Sequence, residues 1–410
     1  MNPLDTVRIL SEEIGPRPSA SANERRASDW VAGKLRELGF AVNCEPFRAV
    51  ASFSYAYGIF FGLFVVAAAV YPSSPLVATL LCFISLVLFA LEASSVEVLT
   101  RILPKGTSQN VVGILKPRVE RAIEIAATQT QSRPPSAGSQ STKVDLAPLL
   151  QRPRSPVRTL VLTAHIDSAR SAILWHPRIV PYFYSIFLLI AAAMLAEFAL
   201  YLVGLVTGAS WVWGVSLVPA ALLAIAVLIF VDRETRYQHT RGANDNASGV
   251  AVMLATAAEL AREPLAETEV WAVATGCEES GPFGIVRFLD AHPFDKATTY
   301  FLNFDNIGAG RVSYVTGEGI LFTLKADKQL VEIASAVAED AAPIVYKTLP
   351  TDNTITLTKG YRGLSLMAFD ARGVLPNWHW RTDTIENVDP QALMCGTKFA
   401  ERIARRIDQS

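Results

Sequence analysis

Five short stretches of this chain carry side chains suited to sharing metal ions. The densest is Arg241 to Leu260, RGANDNASGVAVMLATAAEL, where Asp245 sits in a Gly/Asn-rich turn directly ahead of a helical pattern. Its small neighbours Gly242, Ala243, Ala247, Ser248 and Gly249 let backbone and ligand approach closely, and the helix N-terminus that follows favours negative charge. Capping that helix is the only structural task in view for Asp245. The other stretches are AHIDS with His165 and Asp167, CEES with Glu278 and Glu279, NFDNIG with Asp305, and WHWRTDT with His379. Mixed imidazole and carboxylate donors suit zinc, which lowers the pKa of bound water toward neutrality, while a second ion can hold the attacking or leaving group. Adjacent glutamates do not easily bind one ion side by side, so one would ligate and the other act as general base toward the activated water. The combination points to a hydrolase with two zinc ions.

Such residues need a scaffold that gathers them. The run Thr159 to Thr163, TLVLT, is rich in β-formers and ends just before His165. The histidine therefore stands at the carboxyl end of a strand, where open α/β sheets place their ligands. Asp167 is suited to accept the far ring N–H and fix the tautomer. Val270 to Thr275 is a second strand with Glu278 and Glu279 past its end and a helix through Ile285 to Ala291, and Thr298 to Phe304 repeats the arrangement with Asp305. Strands alternating with helices predict an α/β fold with a mixed, largely parallel sheet and flanking helices. Near the start, Ser21 to Phe40 has helical spacing of Trp30, Val31, Leu35 and Leu38, with Ser21 as N-cap, Glu24 three residues on and Gly39 as a stop. Strands are expected at Ala41 to Phe47 and Gln109 to Lys116.

Composition adds a membrane. Of the residues 51% are hydrophobic and 18% charged, and the apolar excess is concentrated in two blocks. Ala49 to Leu91 has no charged residue, with Tyr71-Pro-Ser-Ser-Pro75 as its divider, and Ile179 to Val231 has only Glu197, with a turn near Gly204 to Ser210. Each is long enough for a hairpin of two spans of roughly twenty residues, so about four transmembrane helices are expected. Arg48, Arg101, Lys105, Arg170, Arg178, Arg233, Arg236 and Arg241 lie on the side shared by the chain ends, which makes that side cytoplasmic, while Trp211, Trp213, Tyr71 and Tyr201 suit the far interface. Glu197 reads either as a functional intramembrane acid or as one held in a polar crevice. Met1 to Gly15 carries Asp5, Arg8, Glu12 and Glu13 and does not read as a signal peptide. A net charge of -1 and a pI near 6.6 disfavour nucleic acid, and four scattered cysteines, Cys44, Cys82, Cys277 and Cys395, argue against a disulfide framework. His176, His239 and His292 have no place in the metal pattern.

The order H-x-D, G-A-x-D-N-A-S-G, E-E, F-D-x-I-G and H-x-x-x-D-T, running from Leu10 to the C-terminal helix, resembles the M28 family of zinc aminopeptidases, with the hairpins as insertions. The resemblance implies that His165 and Asp305 bind one zinc, Glu279 and His379 the other, and that Asp245 bridges them. Glu278 would be the general base, Asp167 would stand behind the ligands, and Asp383 and Thr384 would shape the loop holding His379. The chain departs from the pattern at Cys277 and at the SGPFG that follows the glutamates, and the oxyanion donor stays open. Related glutaminyl cyclases share the fold and a Trp-His pair like Trp378-His379, so glutaminyl-peptide cyclisation is the nearest alternative, and a non-catalytic membrane receptor or scaffold is a further one. The expected organisation is a discontinuous metallopeptidase domain (1–48, 92–178 and 232–410), hairpins at 49–91 and 179–231, and a flexible loop at 117–156. Peptide substrates and the lipid bilayer are the expected partners. Because no ligand candidate lies inside an apolar run, the site is expected to face water near the headgroups.

Overall fold

The chain is described here by a computed structural model covering residues 1–93, 97–121 and 158–410. The flexible loop expected over 117–156 lies outside the described residues from 122 onward. Among the described residues nine strands form one mixed sheet. They are β1 (Ala41–Ala49), β2 (Gly106–Leu115), β3 (Arg158–His165), β4 (Thr268–Thr275), β5 (Thr299–Phe304), β6 (Arg311–Glu318), β7 (Leu324–Lys325), β8 (Ala342–Tyr346) and β9 (Arg362–Phe369). The order is β1-β2-β4-β3-β5-β9-β6-β7, with β8 beside β6. Only the centre, β4-β3-β5-β9, is continuously parallel, and the flanking pairs β1-β2, β2-β4, β6-β9 and β6-β7 are antiparallel. Central parallel strands are covered on both faces, which is why LVLTAH and TYFLNF are buried throughout. The edge strand β1 instead alternates in exposure and carries Glu45, Pro46 and Arg48, residues that discourage edge pairing.

The principal helices are α1 (Pro3–Arg8), α2 (Ala22–Glu37), α3 (Ser54–Val70), α4 (Pro75–Ala93), α5 (Phe183–Thr207), α6 (Trp211–Arg236), α7 (Gly249–Arg262), α8 (Phe283–Ala291), α9 (Lys328–Val337), α10 (Asp352–Thr358) and α11 (Pro390–Asp408). Val7, Val31, Val250, Leu330 and Phe399 place α1, α2, α7, α9 and α11 on one face of the sheet. Ile285, Phe288 and Ile355 place α8 and α10 on the other. In α2 the Ser21 hydroxyl accepts the Glu24 N–H at 3.2 Å as expected. The Glu24 carboxylate does not close the reciprocal half of a capping box: it turns inward to accept the N–H groups of Ala20 and Cys277, each at 2.8 Å.

Helices α3 to α6 pack as one bundle around Phe60, Phe64, Met194, Tyr201, Val212 and Leu223. Phe61 stacks on Phe230 and Tyr71 on Tyr201, and Trp213 Nε1 donates to the Ala68 carbonyl at 3.0 Å. Among the described residues three helices are long and apolar enough to cross a membrane, Pro75–Glu92, Val180–Thr207 and Trp211–Arg236. A fourth, Ser54–Val70, is apolar and has 17 residues, about 26 Å at about 1.5 Å per residue, the short end of what spans a bilayer. Glu197 is buried between α5 and α6, accepting from the Tyr201 hydroxyl at 3.1 Å, which in turn accepts from Ser216 at 3.2 Å. That is the polar crevice. The four cysteines are unpaired.

Candidate metal centre

Three neighbouring parallel strands aim their carboxyl ends at one edge. In register His165 pairs with Thr275 and Thr163 with Asn303, so His165 ends β3 level with the loop carrying Glu278 and Glu279 and with Asp305, two residues beyond Asn303. The Asp245 turn approaches from the start of α7. Each residue of its NDNASG run has a separate task. Asn244 Oδ1 accepts from Gly308 N at 2.8 Å and its amide donates to Asn306 and the Pro376 carbonyl. Asn246 Oδ1 accepts from Gly249 N at 3.0 Å and its amide reaches the Phe304 carbonyl. Ser248 Oγ accepts from Ile307 N. A Cβ on Gly249 would lie 2.2 Å from Asn246 Oδ1 and 2.3 Å from the Phe304 carbonyl oxygen. The helix is thus capped by Asn246 and not by Asp245, which leaves the aspartate free for the cluster.

Both oxygens of Asp245 are engaged. Oδ1 lies 3.2 Å from His165 Nε2 and Oδ2 lies 3.0 Å from His379 Nε2. Asp305 Oδ1 stands 3.7 Å from the first imidazole, and Glu279 Oε2 stands 3.1 Å from the second. Glu278 is set back, with Oε2 4.0 Å from His165 Nε2. Two sets of donor atoms share Asp245, one with His165 and Asp305 and one with Glu279 and His379, each within the reach of one ion, and a third overlapping set joins His165, Glu278 and Glu279. His165, Asp245, Asp305 and His379 are buried, the Glu279 side chain is 6% exposed, and Asp245 Oδ2 and Glu279 Oε1 have no hydrogen-bond donor. Buried acceptors facing one another without donors, with four carboxylates against two imidazoles, fit cations.

The electrostatics agree. Burial, joined by Glu279 and Asp305, holds the Glu278 carboxyl well above its usual range. Burial also raises Glu279 to about 7, with His379 opposing and Asp245 assisting. Burial would lower the pKa of His379, but Glu279 and Asp245 hold it up at about 10. The cluster is short of positive charge, and protons collect where cations fit.

One positioning residue, Arg17, carried no sequence signal. Arg17, fully buried, donates from Nε to the Ile166 carbonyl, from one terminal nitrogen to those of Leu10, Gly15 and Arg241, and from the other to Gly242. It joins the N-terminal segment, the exit of β3 and the Asp245 turn. Gly242 has φ +61, and a Cβ there would meet Ser168 Cβ at 2.5 Å and the Arg17 guanidinium at 2.6 Å. Asp167 accepts the N–H groups of Glu278 and Glu279 at 3.1 and 3.0 Å and the Ser19 hydroxyl at 2.6 Å. Its distance to His165 Nδ1 is 3.5 Å, too long for a good hydrogen bond, so its firmest hold is on the glutamate loop. Asp383 accepts from Asn244 N at 2.6 Å and Asp245 N at 3.3 Å, which couples the His379 loop to the Asp245 turn. Cys277, Asn306 and His379 all have positive φ. Backbone strain is thus concentrated where the loops deliver the cluster.

The cluster lies in a cavity of about 440 Å³ that continues between the bundle helices. The sequence could not show that α3, α5 and α6 contribute to the cavity wall. Tyr346 lines it, with its hydroxyl held well above the usual range by burial and by Asp305. Trp175 also lines it, its ring edge-on to His379 at 4.7 Å between centroids, and its buried Nε1–H has no acceptor.

The fold is similar to that of solved zinc aminopeptidases and glutaminyl cyclases. A zinc aminopeptidase from Bacillus subtilis superposes with a TM-score of 0.54 at 14% identity, over 99% of this chain and 94% of that one. The glutaminyl cyclase of Tannerella forsythia gives 0.52 at 13% identity, over 98% and 97%. The model of peptidase family M28 matches residues 227–401. The probable lipoprotein aminopeptidase LpqL of Mycobacterium tuberculosis is 26% identical over 37% of this chain and 37% of its own length. The vacuolar membrane protease of Clavispora lusitaniae is 28% identical over 37% of this chain and 15% of its own. The chain thus spans well under half the length of either relative.

Proposed function

We propose that this chain is a membrane-anchored, zinc-dependent aminopeptidase that binds two ions. The observation that carries this reading is the split of Asp245, whose two oxygens face different imidazoles at 3.2 and 3.0 Å. His165 and Asp305 hold one ion, Glu279 and His379 the other, and Asp245 is shared. When bound, zinc supplies Lewis acidity toward a carbonyl and toward water. Glu278, set back and raised in pKa by its burial, takes the proton of the attacking water and returns it to the leaving amine nitrogen. Asp167 fixes the loop that presents Glu278 and Glu279. Tyr346, on the wall of the same cavity, donates its O–H to the oxygen on which charge develops. The surplus of carboxylates suits a free N-terminal ammonium group. The basic flanks of the hairpins support a catalytic domain on the cytoplasmic face.

Cyclisation of N-terminal glutamine is the second reading, favoured by Trp378 and Trp175 packed against His379. The test is the zinc content of the purified full-length chain together with turnover of leucine amide and glutaminyl peptides. Two ions per chain, with Glu278→Gln keeping both and losing roughly 10²- to 10⁴-fold in kcat, is the expected result. One ion with pyroglutamate as product gives the cyclase, and a protein that binds no zinc removes both readings.

A further inference from the structure

The cavity that holds the cluster has one face made by a stripe on α5, Phe183, Ile186, Phe187, Ile190 and Met194, and another by Leu222, Ala226, Ile229 and Phe230 on α6. Positions three and four apart share a helix face, so each stripe is a continuous wall. From Phe183 to Met194 that wall runs about 16 Å at about 1.5 Å per residue, beyond the reach of one amino-acid side chain. Leu189 and Ile225 line the cavity while being 51% and 54% exposed on the bundle. The cavity therefore opens sideways, toward the apolar surroundings of the helices.

What fills such a space is decided by hydrogen bonding. An extended peptide advances about 3.3 Å per residue, so roughly five residues would bring some ten backbone N–H and C=O groups into walls of Phe, Ile, Leu, Ala and Met that offer them no partners. A hydrocarbon chain carries no such groups. The polar groups that line the cavity stand outside the two stripes, Tyr57, Glu92, Thr100, Arg233 and Trp175 among them. Trp175 presents its unpartnered Nε1–H beside His379, where it can donate to an amide carbonyl. A second hollow, sharing Glu97, Val286 and Ile355 with the cavity, is lined by Arg101, Lys105, Arg287 and Lys359, of which Lys105 and Arg287 pair with Glu97 and Lys359 with Asp290, four cations against two carboxylates. Its excess of cations suits a carboxylate.

We propose that this site takes, as a further substrate, the amide of a long unbranched acyl chain with an amino acid or short peptide, the chain lying between α5 and α6, the amide at the cluster and the carboxylate in the basic hollow. The proposal rests on the hydrolytic reading of the cluster. The amide C–N bond breaks, the hydroxyl of water ends on the acyl carbon as a fatty acid, and its remaining proton goes to the amine nitrogen.

The test uses the full-length zinc-loaded protein in lipid nanodiscs, with N-acyl-glycines from acetyl to palmitoyl and with leucine amide. Burying a methylene contributes about 0.8 kcal/mol, so kcat/KM should climb about fourfold per methylene until the cavity is filled and then level off. Ala226→Trp, which shortens the space, should move that plateau to shorter chains. Leu228→Trp, on the outward face at 64% exposure, should not move it. A wild-type profile flat in chain length, or turnover of leucine amide without any of the acyl-glycines, overturns the inference and leaves the aminopeptidase standing. No turnover of either class overturns both.

Discussion

Replacing Arg17 with Met removes a buried guanidinium that reaches five backbone carbonyls, those of Leu10, Gly15, Ile166, Arg241 and Gly242. One terminal nitrogen serves three of these with two hydrogens, so about four full hydrogen bonds are lost. At about 1–1.5 kcal/mol each, and with the carbonyls left in a space water does not reach, the cost is about 4–6 kcal/mol. That is a large share of the roughly 5–15 kcal/mol that holds a domain folded. For a soluble part of this size about 2–4 °C of Tm follows each kcal/mol, which predicts a fall of at least about 8 °C in thermal unfolding followed by circular dichroism. Arg17→Lys should recover less than half, since one ammonium cannot copy a planar fork. Hydrogen exchange should quicken first in the turn from Arg241 to Asn246, because two of the lost contacts are its own. A variant melting within 2 °C of the parent, with that turn still protected, would refute the account of Arg17 as the tie between three segments.

Two glycines in helices should respond oppositely to alanine. Gly249→Ala forces a Cβ to 2.2–2.3 Å from Asn246 and Phe304, so chemical denaturation should show a loss of about 1–3 kcal/mol and zinc titration a weaker affinity. Gly33→Ala meets nothing within 4 Å inside α2 and should gain about 0.5–1 kcal/mol. His239 is lowered to about 4 by burial and by Arg170 and Arg233. A histidine depressed in the folded state contributes stability above its unfolded value of about 6.5 and loses it as pH falls toward 4. Unfolding midpoints at pH 7 and pH 5 should therefore converge in His239→Gln relative to the parent, and equal pH sensitivity in both proteins would contradict this.

The strands were legible because their side chains obey simple patterns. TLVLT and TYFLNF are nearly continuous apolar runs, as a strand covered on both faces must be. The antiparallel flanks were less so: β1 and β2 follow one another across a hairpin, yet β2 pairs next with β4, a choice made by long-range packing and not by local spacing. Glu24 shows how a local rule is overruled. Its position three residues after Ser21 satisfies the capping pattern, but the N–H of Cys277, more than 250 positions away, captures the carboxylate.

By itself the sequence determined which residues meet. His165, Asp245, Glu279, Asp305 and His379 stand at strand ends or in Gly/Asn turns, and those positions constrain them to one edge of a parallel sheet. It also determined where apolar helices must lie, because charge-free runs of that length leave the backbone few alternatives. Only the tertiary structure decided how the two are joined. Whether the bundle stands apart from the catalytic edge or opens into it depends on how α3, α5 and α6 pack, and on side chains such as Trp175 and Arg233 that the helices bring to the cavity wall. Periodicity shows which face of a helix is apolar, but an apolar face is the same in sequence whether it meets lipid, a neighbouring helix or a substrate.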